Sequence, residues 1–179
     1  MSTDLPAAPR FDLPEADAFT RPYWEAAGEG RLLIRRCGAC GLAHHYPREF
    51  CPKCWSEDVT WERASGRATL YTWSVVHRND LPPFGGRVPY VAAVVDLAEG
   101  PRMMTEVVDC AEGALRIGMA LRVAFRETGA AEGSGGEGGA AVAVPVFRPV
   151  EDGDGGGGGG GDSEGEGGGG DGGGDGEGA

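Results

Sequence analysis

Two closely spaced pairs of cysteines are the residues of this 179-residue chain best suited to chemistry. Each pair has the Cys-x-x-Cys spacing, and ten residues separate the first pair from the second. Such a pair places two sulfurs on one side of a tight turn, so two turns can enclose one tetrahedral metal ion. The spacing predicts a structural zinc site whose ligands are Cys37, Cys40, Cys51 and Cys54.

A site with four thiolates has no open position for a catalytic water, which favours a structural role. The same ligands can also hold iron, so the sequence leaves the choice between zinc and iron open. His44 and His45 lie between the pairs and could compete as ligands, although we expect them to be surface or hairpin residues. Cys110 stands apart from the set and is predicted to be a small buried side chain.

The sequence offers little catalytic machinery of its own. Residues 1–128 contain no Gly-x-Ser-x-Gly, Walker A, His-Glu-x-x-His or Gly-x-Gly-x-x-Gly motif. His77, beside Arg78 and Asp80, is one of only three histidines and is the candidate base if the chain is an independent enzyme. We expect a binding or structural role for His77 and predict that the chain is not an enzyme by itself.

The cysteines must be positioned by short elements. Residues 19–29 predict a short helix with Thr20 as its N-cap, and residues 30–62 alternate short strands with the two cysteine turns. Because so short a helix is marginal alone, it must pack on another surface. Its aromatic side is expected to comprise Phe19, Tyr23 and Trp24.

The region after the cysteines is predicted to be all β. Five strand-like segments with glycine-rich turns fit a small OB-fold barrel, and a small β-sandwich fits the strand count almost as well. The fifth segment, residues 142–150, would close the barrel. In the first segment, simple alternation predicts one face with Leu70, Thr72, Ser74 and Val76, and the other with Tyr71, Trp73 and Val75.

Glycine and acidic residues dominate the end of the chain. Residues 151–179 hold 18 of the 34 glycines, nine acidic residues and no basic residue, and are predicted to be disordered. Subtracting those nine charges from the net charge of −12 leaves −3 for residues 1–150. A mildly acidic folded part counts against a nucleic-acid-binding role, which needs exposed cations.

The predicted organisation has four parts. They are a flexible N-terminus (1–18), a helix with a zinc ribbon (19–62), an OB-fold (63–150) and the disordered tail (151–179). The sequence has no apolar stretch long enough for a membrane span and no signal-peptide pattern, so a cytoplasmic location is predicted.

Three segments together resemble the DUF35 family of proteins, which combine a rubredoxin-like zinc ribbon with an OB-fold. They are FTRPYWEAAGEGRLLIRRCGACG, YPREFCPKCWSEDVTWERASGRATLYTWSVVHR and PYVAAVVDLAEGPRMMTEVV, and the similarity runs from about Phe19 to Val150. The chain departs from the family pattern in residues 129–141, in its acidic tail, and at Trp55, where glycine is more usual.

The resemblance implies an N-terminal helical hairpin, a zinc ribbon and a C-terminal OB-fold. It also implies a non-catalytic accessory subunit that bridges partners and helps to bind an acyl-CoA. The implied partners are a thiolase-like or lipid-transfer-protein-type aldolase subunit, and a MaoC-type enoyl-CoA hydratase. Lipid, sterol or polyketide-like metabolism is the implied setting.

Four residues near the first barrel loop are candidates for CoA binding. Arginine suits phosphate recognition, and aromatic rings such as Phe84 can stack on adenine. Tyr71 and Trp73 could join them or could be core or interface residues instead. The four candidates are His77, Arg78, Arg87 and Tyr90. The alternative hypothesis is a single-stranded nucleic-acid-binding OB-fold protein.

Overall fold

The computed structural model describes residues 16–128 and 142–150, which form one short α-helix, two 3-10 helices and eight strands. The predictions for residues 1–15, for the insertion 129–141 and for the tail 151–179 therefore lie outside the described residues. In the part that is described, no helix has the length and apolar character needed to cross a membrane.

Helix α1 spans Arg21–Gly28, close to the predicted 19–29. Thr20 occupies the N-cap position, but its hydroxyl does not cap the helix and instead donates to Asp17 Oδ1 at 2.7 Å. That carboxylate also accepts the Thr20 N–H, and these hydrogen bonds lower the pKa of Asp17. The resemblance implies a helical hairpin, which needs two helices. In the described residues, α1 is the one α-helix of this region.

The zinc-ribbon region is a three-stranded antiparallel sheet with strand order β2-β1-β3. Strand β1 spans Leu33–Cys37, β2 spans Ala43–His44 and β3 spans Val59–Arg63. The pairing places Arg35 of β1 between His44 and Trp61 on the two outer strands.

The second sheet closes into a five-stranded barrel with the order β4-β5-β6-β8-β7. All neighbours are antiparallel except β6 and β8, which are parallel at Val107 and Phe147. The closed order confirms the OB-fold prediction over the β-sandwich, with the fifth strand completing the barrel. The strands are β4 (Arg67–Val76), β5 (Tyr90–Leu97), β6 (Arg102–Val107), β7 (Ala120–Thr128) and β8 (Val142–Pro149).

The predicted alternation along β4 is wrong beyond Leu70. The register shifts by one residue between Leu70 and Thr72, so Tyr71 forms a β-bulge. An extra residue in one strand reverses which side chains face inward after it. Leu70 is buried, Trp73 and Val75 pack against the same core, and Tyr71 is exposed.

Helix, ribbon and barrel share one apolar core. Tyr23 of α1, Ile34 of β1 and Val95 of β5 belong to a single cluster of buried side chains. Trp61 of β3 packs at its edge, 6.3 Å from the Tyr23 ring. Because burial of contiguous apolar surface is the main stabilising term, the ribbon and the barrel are expected to stabilise each other.

Candidate metal centre and ligand face

The four paired cysteines converge at one end of the ribbon. Their sulfur atoms all lie within 4.8 Å of one another, with Cys37 and Cys54 at 3.6 Å and Cys40 and Cys51 at 3.6 Å. A disulfide needs about 2.05 Å, whereas four ligands about 2.3 Å from one ion lie about 3.8 Å apart. The arrangement therefore fits a tetrahedral zinc ion held by all four thiolates.

Both cysteine turns use the same backbone construction. Gly41 and Trp55 follow their Cys-x-x-Cys pairs, and each donates its N–H to the carbonyl of the first cysteine, at 2.9 Å in both cases. Both residues have positive φ, +72° for Gly41 and +63° for Trp55. A tryptophan in this left-handed region is strained where glycine is not. Trp55 is 71% exposed and stacks on Phe50 with 5.2 Å between ring centroids.

The thiols of this cluster cannot all ionise without a cation. Burial raises the pKa of Cys51, but hydrogen bonds from Cys54 and Lys53 N–H groups and from neighbouring thiols outweigh it, and the pKa falls to about 6. A hydrogen bond from the Ser56 N–H lowers the pKa of Cys54. The hydrogen bonds of the Cys54 thiol with the other three thiols, together with burial, outweigh this effect and raise the pKa of Cys54 to about 12. A bound divalent cation supplies the charge that stabilises four thiolates together.

The two histidines between the cysteine pairs are not part of the sulfur cluster. They are buried rather than surface residues, each 8% exposed. His44 Nδ1 is 3.0 Å from the Tyr46 carbonyl oxygen, and His45 Nε2 is 3.1 Å from the Tyr23 hydroxyl. Their hydrogen bonds tie the ribbon to its own loop and to helix α1.

A cavity of about 300 Å³ lies between helix α1 and the barrel. Its wall is mostly apolar and includes the side of β5 and β6, the second and third barrel strands, where OB-folds bind ligands. Its main lining residues are Tyr23, His45, Tyr90, Met103, Glu106 and Arg126.

Glu106 sits at the polar edge of this cavity, between two arginines. Its carboxylate pairs with Arg87 and accepts a hydrogen bond of 2.8 Å from Arg126. The Arg87 guanidinium also lies 5.7 Å from the Phe84 ring centroid and 5.9 Å from that of Tyr90. The cluster therefore carries two positive charges and one negative charge beside an aromatic pair.

The structure divides the four candidate CoA residues into two groups. Tyr90 lines the cavity, and Arg87 lies next to Tyr90 without lining the cavity itself. The Tyr90 hydroxyl accepts a hydrogen bond of 2.9 Å from Asn79. His77 and Arg78 follow the end of β4 in an exposed segment, where Arg78 pairs with Asp80 at 3.2 Å. Sequence reasoning missed Glu106 and Arg126, because strand pairing brings them to Arg87 and no local motif marks them.

Arg35 is a third residue that the sequence analysis did not single out. It is 7% exposed, donates to the Val59 carbonyl at 2.9 Å, and lies 4.7 Å from the Trp61 ring centroid and 5.2 Å from that of Phe19. Burial lowers the pKa of Arg35. The Arg35 guanidinium connects β1 to β3 and to Phe19, which precedes α1. Arg35 therefore holds these three parts of the chain in position.

Family models match both halves of the folded chain. Residues 24–60 match the rubredoxin-like zinc ribbon domain of ChsH2, and residues 61–126 match the C-terminal OB-fold domain of ChsH2. A DUF35 domain-containing scaffold protein of Methanocaldococcus jannaschii is 35% identical over 133 residues, which cover 72% of this chain and 89% of that protein.

Two further relatives extend the comparison. A probable enoyl-CoA hydratase alpha subunit of Thermomonospora curvata is 35% identical over 127 residues, covering 71% of this chain but only 36% of that subunit. A solved structure titled Ltp2-ChsH2(DUF35) aldolase contains a chain with 34% identity and a TM-score of 0.62. The match covers 76% of this chain and 98% of that chain.

Proposed function

This chain belongs to the family of DUF35 domain-containing scaffold proteins, and on that premise we propose that it is a non-catalytic accessory subunit of a thiolase-superfamily acyl-CoA complex. The observation that carries the proposal is the likeness to the ChsH2(DUF35) chain of an aldolase, which spans both the ribbon and the barrel. The partner would be a thiolase-like or lipid-transfer-protein-type aldolase subunit in the cytoplasm. A MaoC-type hydratase is a second candidate partner, supported by the hydratase subunit of Thermomonospora curvata.

The chemistry of the described residues supports an accessory role. The four thiolates fill every position of a tetrahedral site, so the metal would hold the ribbon together and would not activate water. His77 is exposed and does not line the cavity between helix α1 and the barrel. The barrel would contribute binding surface, while the partner would supply the reacting groups.

Exposed aromatic residues at the tip of the ribbon support a partner contact there. Trp55 and Phe50 stack on each other outside the core. Trp55 has a left-handed backbone conformation that glycine would adopt without strain. Large aromatic side chains are favoured at the centres of protein interfaces. The pair would be buried by the partner subunit.

The cavity beside Glu106 is the proposed site for part of an acyl-CoA. Its apolar wall suits an acyl or pantetheine segment. Tyr90 lines the cavity and Arg87 lies beside Tyr90, so polar groups of the ligand would bind near this pair. Arg78 and His77 would contact the more exposed end of the ligand. On the β5–β6 face, Arg87, Arg102 and Arg126 each already pair with a carboxylate, which counts against a nucleic-acid ligand there.

A titration of acyl-CoA into the assembled complex tests the ligand site. We expect Tyr90→Ala to weaken binding about fivefold, because an aromatic contact contributes roughly 1 kcal/mol. Tyr46→Ala is the matched control, since Tyr46 is 54% exposed and does not line the cavity. Equal affinities for both variants would reject this cavity as the ligand site.

A further inference from the structure

Two arginines of the barrel share a single carboxylate beside the cavity. Arg87, from the segment before β5, and Arg126 of β7 both donate to the same oxygen of Glu106, Oε2. Since the carboxylate carries one negative charge and each guanidinium one positive charge, the cluster retains one net positive charge. All three side chains are partly shielded from solvent, with between 19% and 31% of each exposed.

The two arginines keep most of their hydrogen-bonding capacity. A guanidinium has five N–H donors, and Glu106 uses one donor of each arginine. In residues 16–128 and 142–150, no other acceptor bonds either guanidinium, and no second carboxylate pairs with Arg87 or Arg126. A partly buried charge without a matching partner is costly, so the cluster is suited to an anion that arrives with a ligand.

A further donor lies beside the arginines. The Tyr90 hydroxyl accepts a hydrogen bond from Asn79, so its own proton remains available to a ligand. Tyr90 lines the cavity, as do Glu106 and Arg126, and the Arg87 guanidinium is 5.9 Å from the Tyr90 ring centroid. Tyr90 and the cluster therefore form one polar part of a wall that is otherwise mostly apolar.

The size and polarity of the cavity limit what it can hold. A volume of about 300 Å³ lies at the lower end of the range for ligand pockets, so the cavity admits one segment of an acyl-CoA and not the whole molecule. Apolar side chains such as Met103 and Val146 suit a hydrocarbon chain. One net positive charge matches one carboxylate, which arginine binds through paired hydrogen bonds. A phosphate monoester carries about two negative charges, more than this cluster can match.

We infer that the acyl group bound in this cavity ends in a carboxylate, which Tyr90 and the Arg87–Glu106–Arg126 cluster recognise. The hydrocarbon part contacts the apolar wall, and the carboxylate accepts hydrogen bonds from the remaining N–H groups of the two arginines. Glu106 holds the arginines together and limits their charge, so that the site selects a single anionic group. The inference rests on the acyl-CoA site proposed above and names its ligand class: a dicarboxylic acid joined to CoA through one of its carboxyl groups.

Titration of two CoA thioesters into the assembled complex tests the inference. Adipyl-CoA has a six-carbon acyl group that ends in a carboxylate, whereas the six-carbon chain of hexanoyl-CoA ends in a methyl group. We expect the unmodified complex to bind adipyl-CoA about tenfold more tightly, because hydrogen bonds between charged groups are strong. Arg126→Gln should reduce this preference to about twofold. Glu106→Gln should raise it about threefold, since glutamine keeps an acceptor for the arginines but removes the competing negative charge.

Two controls separate the cluster from its surroundings. Arg102→Gln is the matched control variant, because Arg102 also pairs with a barrel carboxylate, Asp96, but does not line the cavity. It should keep the preference of the unmodified complex. Unacylated CoA is the control ligand, and its affinity should be the same in Arg126→Gln as in the unmodified complex. A loss of CoA affinity equal to that of adipyl-CoA would show that the arginines bind a phosphate of CoA, which would overturn the inference.

The outcome for the acyl-CoA site itself is read separately. Equal affinities for adipyl-CoA and hexanoyl-CoA, with both still weakened by Tyr90→Ala, would overturn the inference and leave the acyl-CoA site in place. Binding of neither thioester, or equal binding by Tyr90→Ala and Tyr46→Ala, would reject the acyl-CoA site and the inference with it.

Discussion

His45 is a buried imidazole with one hydrogen-bond partner, and this fixes its protonation state. Its Nε2 meets the Tyr23 hydroxyl, whereas its Nδ1 has no partner in the described residues. A charged imidazole would bury an unpaired N–H, so burial lowers the pKa of His45 to about 4. Burial, with a smaller contribution from Tyr46, raises the pKa of Tyr23, which therefore keeps its hydroxyl proton.

The lowered pKa of His45 makes stability depend on pH in a defined window. The unfolded chain takes up a proton near pH 6.5, whereas the folded chain does so only near pH 4. Stability contributed by neutral His45 is therefore complete above pH 6.5 and is lost as the pH falls towards 4, by about 3 kcal/mol. Urea unfolding of His45→Phe should show a shallower decline between pH 6.5 and 4 than the unmodified chain.

His77→Phe is the control for this pH series. His77 is exposed, so its replacement removes a histidine without disturbing the buried contacts of His45. Protonation of the cysteines at low pH affects all variants alike, and the comparison therefore isolates His45. Parallel curves for His45→Phe and the unmodified chain would show that the imidazole does not carry the effect.

At the scale of elements, the ribbon depends on its metal more than on its own core. Its longest strands, β1 and β3, have five residues each, and its two cysteine turns are fixed by a few backbone hydrogen bonds. Structural zinc contributes on the order of 10–16 kcal/mol in small zinc domains. The ribbon is therefore expected to fold only with the four thiolates in place.

Replacing one ligand tests this dependence. Cys51→Ser should reduce the metal content from about one zinc ion per chain to near zero and unfold the ribbon, because three thiolates cannot close the site. Cys110→Ser is the matched control, since Cys110 is half-buried beside the core and outside the sulfur cluster. Elemental analysis measures the outcome and also identifies the metal as zinc or iron. Full metal content in Cys51→Ser would refute the four-ligand assignment.

The joint between ribbon and barrel depends on a single glycine. Gly66 lies between β3 and β4 with φ of +76°, and its carbonyl accepts the Val123 N–H at 2.8 Å. A Cβ on Gly66 would lie 2.4 Å from Val123 Cγ1. Both the conformation and the close approach therefore require glycine.

A series of glycine substitutions separates these two requirements. Gly66→Ala should cost about 3 kcal/mol of unfolding free energy, because backbone strain and steric overlap add. Gly118→Ala should cost about 1 kcal/mol, since Gly118 has φ of +78° but open space around it. Gly86→Ala, with open space and no positive φ, should be close to neutral. Chemical denaturation ranks the three variants, and equal costs for Gly66 and Gly118 would disprove the steric component.

Local patterns predicted the elements but not the contacts between them. The cysteine pairs and the five barrel strands follow from short-range spacing, so the metal site and the barrel could be predicted. The bulge at Tyr71 could not, because alternation on both sides of it looks continuous in sequence. The pairing of Glu106 with Arg87 and Arg126 depends on strand register, which no local motif encodes.

At the scale of the whole molecule, the fold is a single unit with an exposed aromatic contact surface. One core joins helix, ribbon and barrel, and an exposed aromatic pair lies at the ribbon tip. The chain spans 36% of the length of the Thermomonospora hydratase subunit that it matches, but 89% of the archaeal scaffold protein. The similarity therefore extends over most of one relative and over one part of a larger one.

Partner identity is the central claim, and one measurement tests it most directly. The affinity-tagged full chain would be purified from its native host, and the mass and composition of its complex determined by native mass spectrometry and peptide sequencing. We predict a fixed stoichiometry with a thiolase-superfamily subunit, and acyl-CoA turnover only in that complex. A chain that purifies alone, or that turns over acyl-CoA without a partner, would contradict the account.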